Sequence, residues 1–324
     1  MLSHIPVFAL SIGVIWYLSG LIVEATDRVA RRYRRSGFTT AFLILGFLTS
    51  ISEISVAANA SIEGVPQISA GNLIGASLVI LLLIIPLLAV LGRGIPMKLS
   101  MTRENMAFLL GTVALPTVIV LDGSVSRSEG LTLVFLYLLL VFSIQSRRPT
   151  ETTARRTVEE VEEEIVHTRH AHVIDILKII AGGVLIFLAG HLLVQESLLF
   201  AETIGTPPSL VGLLFLSIGT NVPELVIALR CVLGKRTDIA FGDYMGSSAA
   251  NTLIFGLLPL VNGPFLLTSQ QFIPSFAVTV VGLLLFFRFA RSGGELSRKE
   301  GAILLALFLA FVLSELLGLW TFAV

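Results

Sequence analysis

The sequence predicts an all-α integral membrane protein, with ten membrane-spanning helices arranged as two five-helix halves of opposite orientation. Three observations carry this. Hydrophobic residues make up 55% of the 324 residues and charged residues only 14%, with a mean hydropathy of +0.91, against roughly a quarter charged residues in soluble domains. Apart from Arg127, every one of the 22 Lys and Arg residues lies in or beside alternate loops. Finally, a stretch in the first half recurs in the second. Together these exclude a soluble globular domain, a disordered chain and a nucleic-acid binder. Lys+Arg and Asp+Glu balance at 22 each, so net charge says nothing about partners.

A spanning helix needs about 20 mostly apolar residues. Ten segments qualify, at roughly 5–24, 38–61, 68–92, 105–121, 129–145, 173–195, 208–232, 239–261, 272–290 and 300–320. The first lacks a basic region before its apolar run and is not expected to be a signal peptide. Its arginines, Arg28, Arg31, Arg32, Arg34 and Arg35, follow instead. Arg93, Lys98 and Arg103 lie between spans three and four. Arg147, Arg148, Arg155, Arg156, Arg169 and Lys178 lie in or beside the loop from five to six. Arg230, Lys235 and Arg236 flank the junction of seven and eight, and Arg288, Arg291, Arg298 and Lys299 join nine to ten. Basic loops stay in the cytoplasm, so both termini are expected outside. Short loops fit a plasma membrane with a multi-pass protein in it.

The one long polar segment divides the chain. Residues 1–146 form a first five-helix unit, 147–172 a charged cytoplasmic loop, and 173–324 a second unit. The loop holds Glu159, Glu160, Glu162, Glu163 and Glu164, then His167, His170 and His172. It reads as a solvated, partly helical linker. The single cysteine, Cys231, excludes an internal disulfide and any CxxC metal site, and reads as a small buried hydrophobe.

Residues 46–77 align without gaps on 217–248 at an offset of 171. Thr49 meets Thr220, Glu53 meets Glu224, Gly71 meets Gly242, Gly75 meets Gly246 and Ser77 meets Ser248. Five spans separate equivalent positions, and an odd number reverses direction across the membrane. Such inverted repeats are expected of secondary transporters, with the substrate site near the midplane at the repeat interface.

Glu53 and Glu224 fall mid-span. Acids there face the bundle interior or a wet cavity. A competing reading pairs Glu224 with Arg230, two turns away. Thr49 and Ser50 share a helical face with Glu53, and Thr220 and Asn221 repeat this before Glu224. Oxygen-only donors suit hard cations such as Ca²⁺, Mg²⁺ or Na⁺. Pro223 removes the donor to the Gly219 carbonyl, while its counterpart Ser52 makes no such break, so the site is expected to be asymmetric. Asp243, Ser247 and Asn251 form a polar stripe on span eight. The equivalent stripe on span three, Asn72, Ala76 and Ile80, has lost two of its three polar groups. The glycine pairs read mainly as close-packing devices. His191 on span six reads as a core histidine.

These residues resemble the repeats of the cation/Ca²⁺ exchanger superfamily, which includes Na⁺/Ca²⁺ exchangers. The family pattern is approximately G-T-S-L-P-E-[LI], about 20 residues, then G-N-x-x-G-S-x-x-x-[ND]. The second repeat gives G-T-N-V-P-E-L at 219–225 and G-D-Y-M-G-S-S-A-A-N at 242–251. The first gives L-T-S-I-S-E-I at 48–54 and G-N-L-I-G-A-S-L-V-I at 71–80. The resemblance implies ligands at Thr49, Ser50, Glu53, Thr220, Asn221, Glu224, Ser247 and Asn251. It also implies alternating access, with spans one and six sliding past the other eight. Ala76 and Ile80 depart by losing oxygens, Asn251 is neutral where some members carry Asp, and Asp243 adds an acid where the pattern has Asn.

The expected function is a secondary cation antiporter, not an enzyme, with no cofactor. Its partners are the lipid bilayer and inorganic cations, Ca²⁺ or Na⁺ with H⁺ as a counter-ion that the carboxylates could accept. The oligomeric state and transported ion stay open. A cation sensor or scaffold that kept the fold without transport is the alternative.

Overall fold

The computed structural model describes residues 4–30, 42, 46–92, 94–96, 103–145, 169–205, 208–222, 224–225, 237–267, 272–291 and 294–317. The arginines at 31–35, Arg93, Lys98, loop residues 146–168, Pro223, Arg230, Cys231, Lys235 and Arg236 lie outside them.

The described helices follow the ten expected spans. Span one is His4–Ala30. Span two is Gly46–Thr49 and Ile51–Ile62. Span three runs as Pro66–Leu78, a π-helical stretch Val79–Ile84, and Ile85–Leu91. Spans four and five are Arg103–Ile119 and Arg127–Gln145. Span six is one helix, Arg169–Ile204, of 36 residues. Span seven is Pro208–Val211, a π-helical stretch Gly212–Leu216, and Ser217–Thr220. Spans eight, nine and ten are Thr237–Asn262, Ile273–Phe289 and Arg298–Leu316. Helices are forced here because hydrocarbon offers backbone N–H and C=O groups no partner but each other.

Span six is longer at both ends than its apolar core suggests. At 1.5 Å per residue it is roughly 54 Å long, against a hydrocarbon layer of about 30 Å. Its charged ends therefore stand outside the layer, and the helix begins inside what reads in sequence as linker.

Burial sorts the spans. Within their apolar windows spans three and eight are 83% and 78% buried, and span five only 22%. The two spans that open with the repeated glycine pairs are thus the centre of the bundle, and span five presents Leu131, Phe135, Leu138, Leu139 and Phe142 outward. Spans one and six pack along each other, with Phe8 and Phe200 edge to face at 5.3 Å. Span two holds span six by its polar side. Ser55 donates to the Ile186 carbonyl at 3.0 Å, and Asn59 to that of Phe187 at 3.0 Å. Gly190 packs on Ser55. One turn further along, His191 Nδ1 is 3.6 Å from Glu63, and both side chains are part-exposed at 40% and 31%. His191 is therefore not a core histidine.

Inverted symmetry extends to the loops. Strands β1 (Ile95–Pro96) and β4 (Glu295–Leu296) pair antiparallel, as do β2 (Ser124–Val125) and β3 (Phe265–Leu266). An offset of 171 carries Ser124 to Glu295 and Ile95 to Leu266. Each clip thus joins a loop of one half to a loop of the other, and each joins loops that the charge pattern puts on one membrane face. The helices that follow start with matching capping boxes. Ser126 and Ser297 accept the backbone N–H of Glu129 and Glu300, whose carboxylates accept from the serine N–H at 2.7 and 2.9 Å. Gly123 and Gly294, 171 apart, both turn the chain at positive φ, 82° and 75°.

Candidate functional site

Span two breaks at Ser50 and span seven at Asn221. These are equivalent positions with matching backbone angles, φ −74°, ψ 8° and φ −93°, ψ 9°. The cause is local. Ser50 Oγ donates to the Gly46 carbonyl at 2.8 Å, and Asn221 Nδ2 to the Ser217 carbonyl at 2.7 Å. In each case the side chain takes the acceptor, four residues back, that its own backbone N–H would use in an unbroken helix. Ser52 itself lies within the helix Ile51–Ile62; the break two residues earlier, at Ser50, was not expected. The chain resumes on the same pattern in both halves, Ile54 N to Ser50 O at 2.9 Å and Leu225 N to Asn221 O at 3.2 Å.

The two breaks meet. Ser52 Oγ reaches the Thr220 carbonyl at 3.3 Å and donates to Glu53 Oε2 at 2.8 Å. Asn221 Nδ2 lies 3.3 Å from Glu53 Oε1. So one glutamate is held by its own helix and by the broken helix of the other half. The opposite glutamate, Glu224, receives Ser247 at 3.5 Å, and Ser247 Oγ lies 3.2 Å from Ser50 Oγ. Glu224 is within electrostatic reach of Glu53 and of Asp243. Both glutamates are 0% exposed, and among the described residues neither pairs with a basic side chain.

The threonines cross over between halves. Thr49 Oγ1 donates to Asp243 Oδ1 at 3.2 Å, and Thr220 Oγ1 to Asn72 Oδ1 at 3.3 Å. Exchanging the halves by the 171 offset turns one bond into the other. Glycine makes the approach close enough. A Cβ on Gly246 would strike the Phe42 carbonyl, and one on Gly75 the equivalent Leu213 carbonyl. Gly71, Gly75 and Gly246 are therefore close-packing positions, as their spacing suggests.

Eight of the nine expected residues thus join one network: Thr49, Ser50, Glu53, Thr220, Asn221, Glu224, Asp243 and Ser247. Asn251 does not. Both its amide atoms are buried with no hydrogen-bond partner, and it lines a cavity of about 10 Å³ with Ser77, Thr117 and Thr279, barely room for one water. Ser52 and Asn72 belong to the network although they were not expected as ligands. The signal for Asn72 was present: it is the aligned counterpart of Asp243. Ala76 and Ile80, fully buried, put no oxygen on the span-three side.

The donor set is oxygen, apart from amide nitrogens, and several acceptors are left over. Glu224 Oε2, Asp243 Oδ2 and Asn221 Oδ1 are buried without a hydrogen-bond partner. Buried acceptors are normally satisfied, and unpaired carboxylate oxygens are the most costly to leave so. Their chemistry fits a hard cation.

A family model described as sodium/calcium exchanger protein matches residues 3–144 and 175–317. This chain belongs to the sodium/calcium exchanger family. Sodium/calcium exchanger MaX1 of Methanosarcina acetivorans is 23% identical, the alignment covering 94% of this chain and 96% of that one. An uncharacterized membrane protein of Methanocaldococcus jannaschii is 26% identical, over 96% and 97%. The solved structure of the sodium-calcium exchanger NCX_Mj, soaked with 10 mM Na⁺ and 10 mM Sr²⁺, superposes with a TM-score of 0.65 at 25% identity, covering 96% and 98% of the two chains. The family member described here is accordingly a multi-pass membrane transporter that exchanges cations, and not an enzyme.

Proposed function

We propose that this exchanger carries Ca²⁺, or another hard divalent cation, against Na⁺ or H⁺, on a midplane site built around Glu53 and Glu224. The observation that supports it is the symmetric pair of fully buried glutamates where two broken helices cross. Thr49, Ser50, Thr220, Asn221, Asp243 and Ser247 supply further oxygens, and Asn251 lies one turn beyond. Two carboxylates neutralise one divalent ion, or accept two monovalent ones. Mutually exclusive occupancy of the same oxygens makes exchange obligatory. The exchanging unit comprises residues 1–146 and 173–324, with 147–172 as the connecting cytoplasmic loop, in a plasma membrane with both termini outside and no cofactor. Alternating access by spans one and six is supported by their packing along each other as a pair.

The test is ⁴⁵Ca²⁺ and ²²Na⁺ flux in proteoliposomes for wild type, Glu53→Gln and Glu224→Gln. Both variants should lose gradient-driven flux, since neutral amides leave one charge of the divalent ion uncompensated in hydrocarbon. Undiminished flux in both overturns the site. The loss of oxygens at Ala76 and Ile80 favours one competing reading, a cation sensor on the exchanger fold. It predicts cation binding with no flux in wild type.

A further inference from the structure

Span two meets span six along a row of polar side chains. Ser55, Asn59 and Glu63 are spaced by four and share a helical face. Ser55 donates to the Ile186 carbonyl and Asn59 to that of Phe187, both at 3.0 Å. Glu63 Oε1 lies 3.6 Å from His191 Nδ1. The first two are neutral hydrogen bonds, which protons in solution leave alone. The third is different. At 3.6 Å it is too long for a hydrogen bond from a neutral imidazole, yet within the range of an ion pair. It holds when the imidazole is charged and lets go when it is not.

Glu63 follows Glu53 by about 15 Å of helix, half of a hydrocarbon layer about 30 Å thick. The pair therefore stands at the membrane surface, on the face that the charge pattern puts outside, where protons reach it without entering the ion site. The other half has no counterpart. The offset of 171 sets Val226, Arg230 and Gly234 against Ser55, Asn59 and Glu63, and Gly20 against His191. The titratable groups around the pair do not duplicate it. Span six packs on spans one, two and seven. Span seven has no charged residue within Pro208–Thr220. Counting along span one from the Phe8–Phe200 contact brings Tyr17 level with His191, and a phenol keeps its proton over the range that charges an imidazole. The next acid down span two is Glu53. On span six itself, Glu196 is about 140° round the helix from His191, and Glu202 about 16 Å further along.

We infer that Glu63 and His191 form a proton-set clasp that fastens span six to span two on one membrane face. The inference rests on the proposed alternating access by spans one and six. Charged His191 adds an ion pair that must break before span six leaves span two, so acid on this face slows the exchange cycle. With His191 neutral, only the bonds of Ser55 and Asn59 remain to be broken. Acid on the opposite face meets no such pair.

The experiment has two arms, each run at about pH 5.5 and about pH 8, either side of the imidazole transition. The first is equilibrium unfolding of the purified full chain for wild type, His191→Gln, Glu63→Gln and the double variant. The double-mutant cycle should show a coupling of about two- to five-fold in the unfolding constant in acid, that of a part-exposed ion pair, and none at the higher pH. The second is tracer ⁴⁵Ca²⁺ exchange in proteoliposomes with saturating Ca²⁺ on both sides, which swamps any competition of H⁺ for the carboxylates. Acid on the Glu63 face should slow wild type by about two- to five-fold, while His191→Gln and Glu63→Gln keep their rate. Acid on the other face should slow none of them. A coupling that is the same at both pH values, a wild-type rate indifferent to acid on the Glu63 face, or slowing that persists in His191→Gln each overturns the inference. Failure of the proposed function reads out separately, as wild type that exchanges no Ca²⁺ or as exchange that survives Glu53→Gln and Glu224→Gln. In a wild type without exchange the unfolding cycle alone decides.

Discussion

Gly46 is where packing and site geometry depend on one missing methyl group. A Cβ placed on Gly46 would lie 2.5 Å from the Gly246 carbonyl carbon, and 2.6 Å from both Gly246 Cα and Ser247 N. All are backbone atoms of span eight and cannot swing aside. Carbon contacts are most favourable near 3.5–4.0 Å, so Gly46→Ala must separate the helices by about 1 Å. The bonds that cross this contact, Ser50–Ser247 and Thr49–Asp243, both at 3.2 Å, would stretch to about 4 Å, beyond hydrogen-bonding range. Overpacking costs roughly 1–3 kcal/mol, and each lost membrane hydrogen bond about 0.6 kcal/mol. Alanine's better helix propensity returns at most about 1 kcal/mol. The net expectation is a destabilisation of about 1–3 kcal/mol. Gly13→Ala is the control, because nothing lies within 4 Å of its Cβ position, and it should be neutral or slightly stabilising. Equilibrium unfolding of the two variants in one detergent measures the difference. A Gly46→Ala protein as stable as Gly13→Ala would refute the close approach of spans two and eight.

Asn59→Leu removes donors to the Ser55 and Phe187 carbonyls. It should cost about 1 kcal/mol at some 0.6 kcal/mol per bond, and amide exchange around residues 183–190 should quicken. Ser126→Ala and Ser297→Ala each remove one capping box, and each should lower stability by about 1 kcal/mol. Their clips lie in different loops, so the double variant should show the sum, and a shortfall in its unfolding midpoint would link the two. If H⁺ competes for the carboxylates, raising pH withdraws the competitor. Half-saturation for Ca²⁺ should then fall as pH rises, and a pH-independent value measured in Na⁺-free vesicles would remove H⁺ from the exchange.

The spans were legible because hydrocarbon leaves the backbone no choice but helix, and apolar length alone then marks the segments. The acids were legible because a mid-span glutamate needs a reason, and two at an offset of 171 share one. The capping boxes at Ser126–Glu129 and Ser297–Glu300 are also written in the sequence as S-x-x-E, though nothing in their local pattern shows that they stand at mirrored clips. Other features were hidden. The break at Ser50 leaves no proline signature, because a serine hydroxyl capturing its own helix's carbonyl looks like any serine in a membrane helix. His191 gave no sign of facing Glu63, since which side of a long apolar helix meets a neighbour is decided by the neighbour.

What the sequence by itself determined is the set of helices, their alternating direction and the chemistry available at the midplane. These follow from local composition and from repetition along the chain. Only the tertiary structure decided which oxygens meet. Thr49 finds Asp243 194 residues away, Thr220 finds Asn72, and Asn221 reaches Glu53. Those contacts depend on how closely glycine lets the two halves cross, a distance that no single segment encodes.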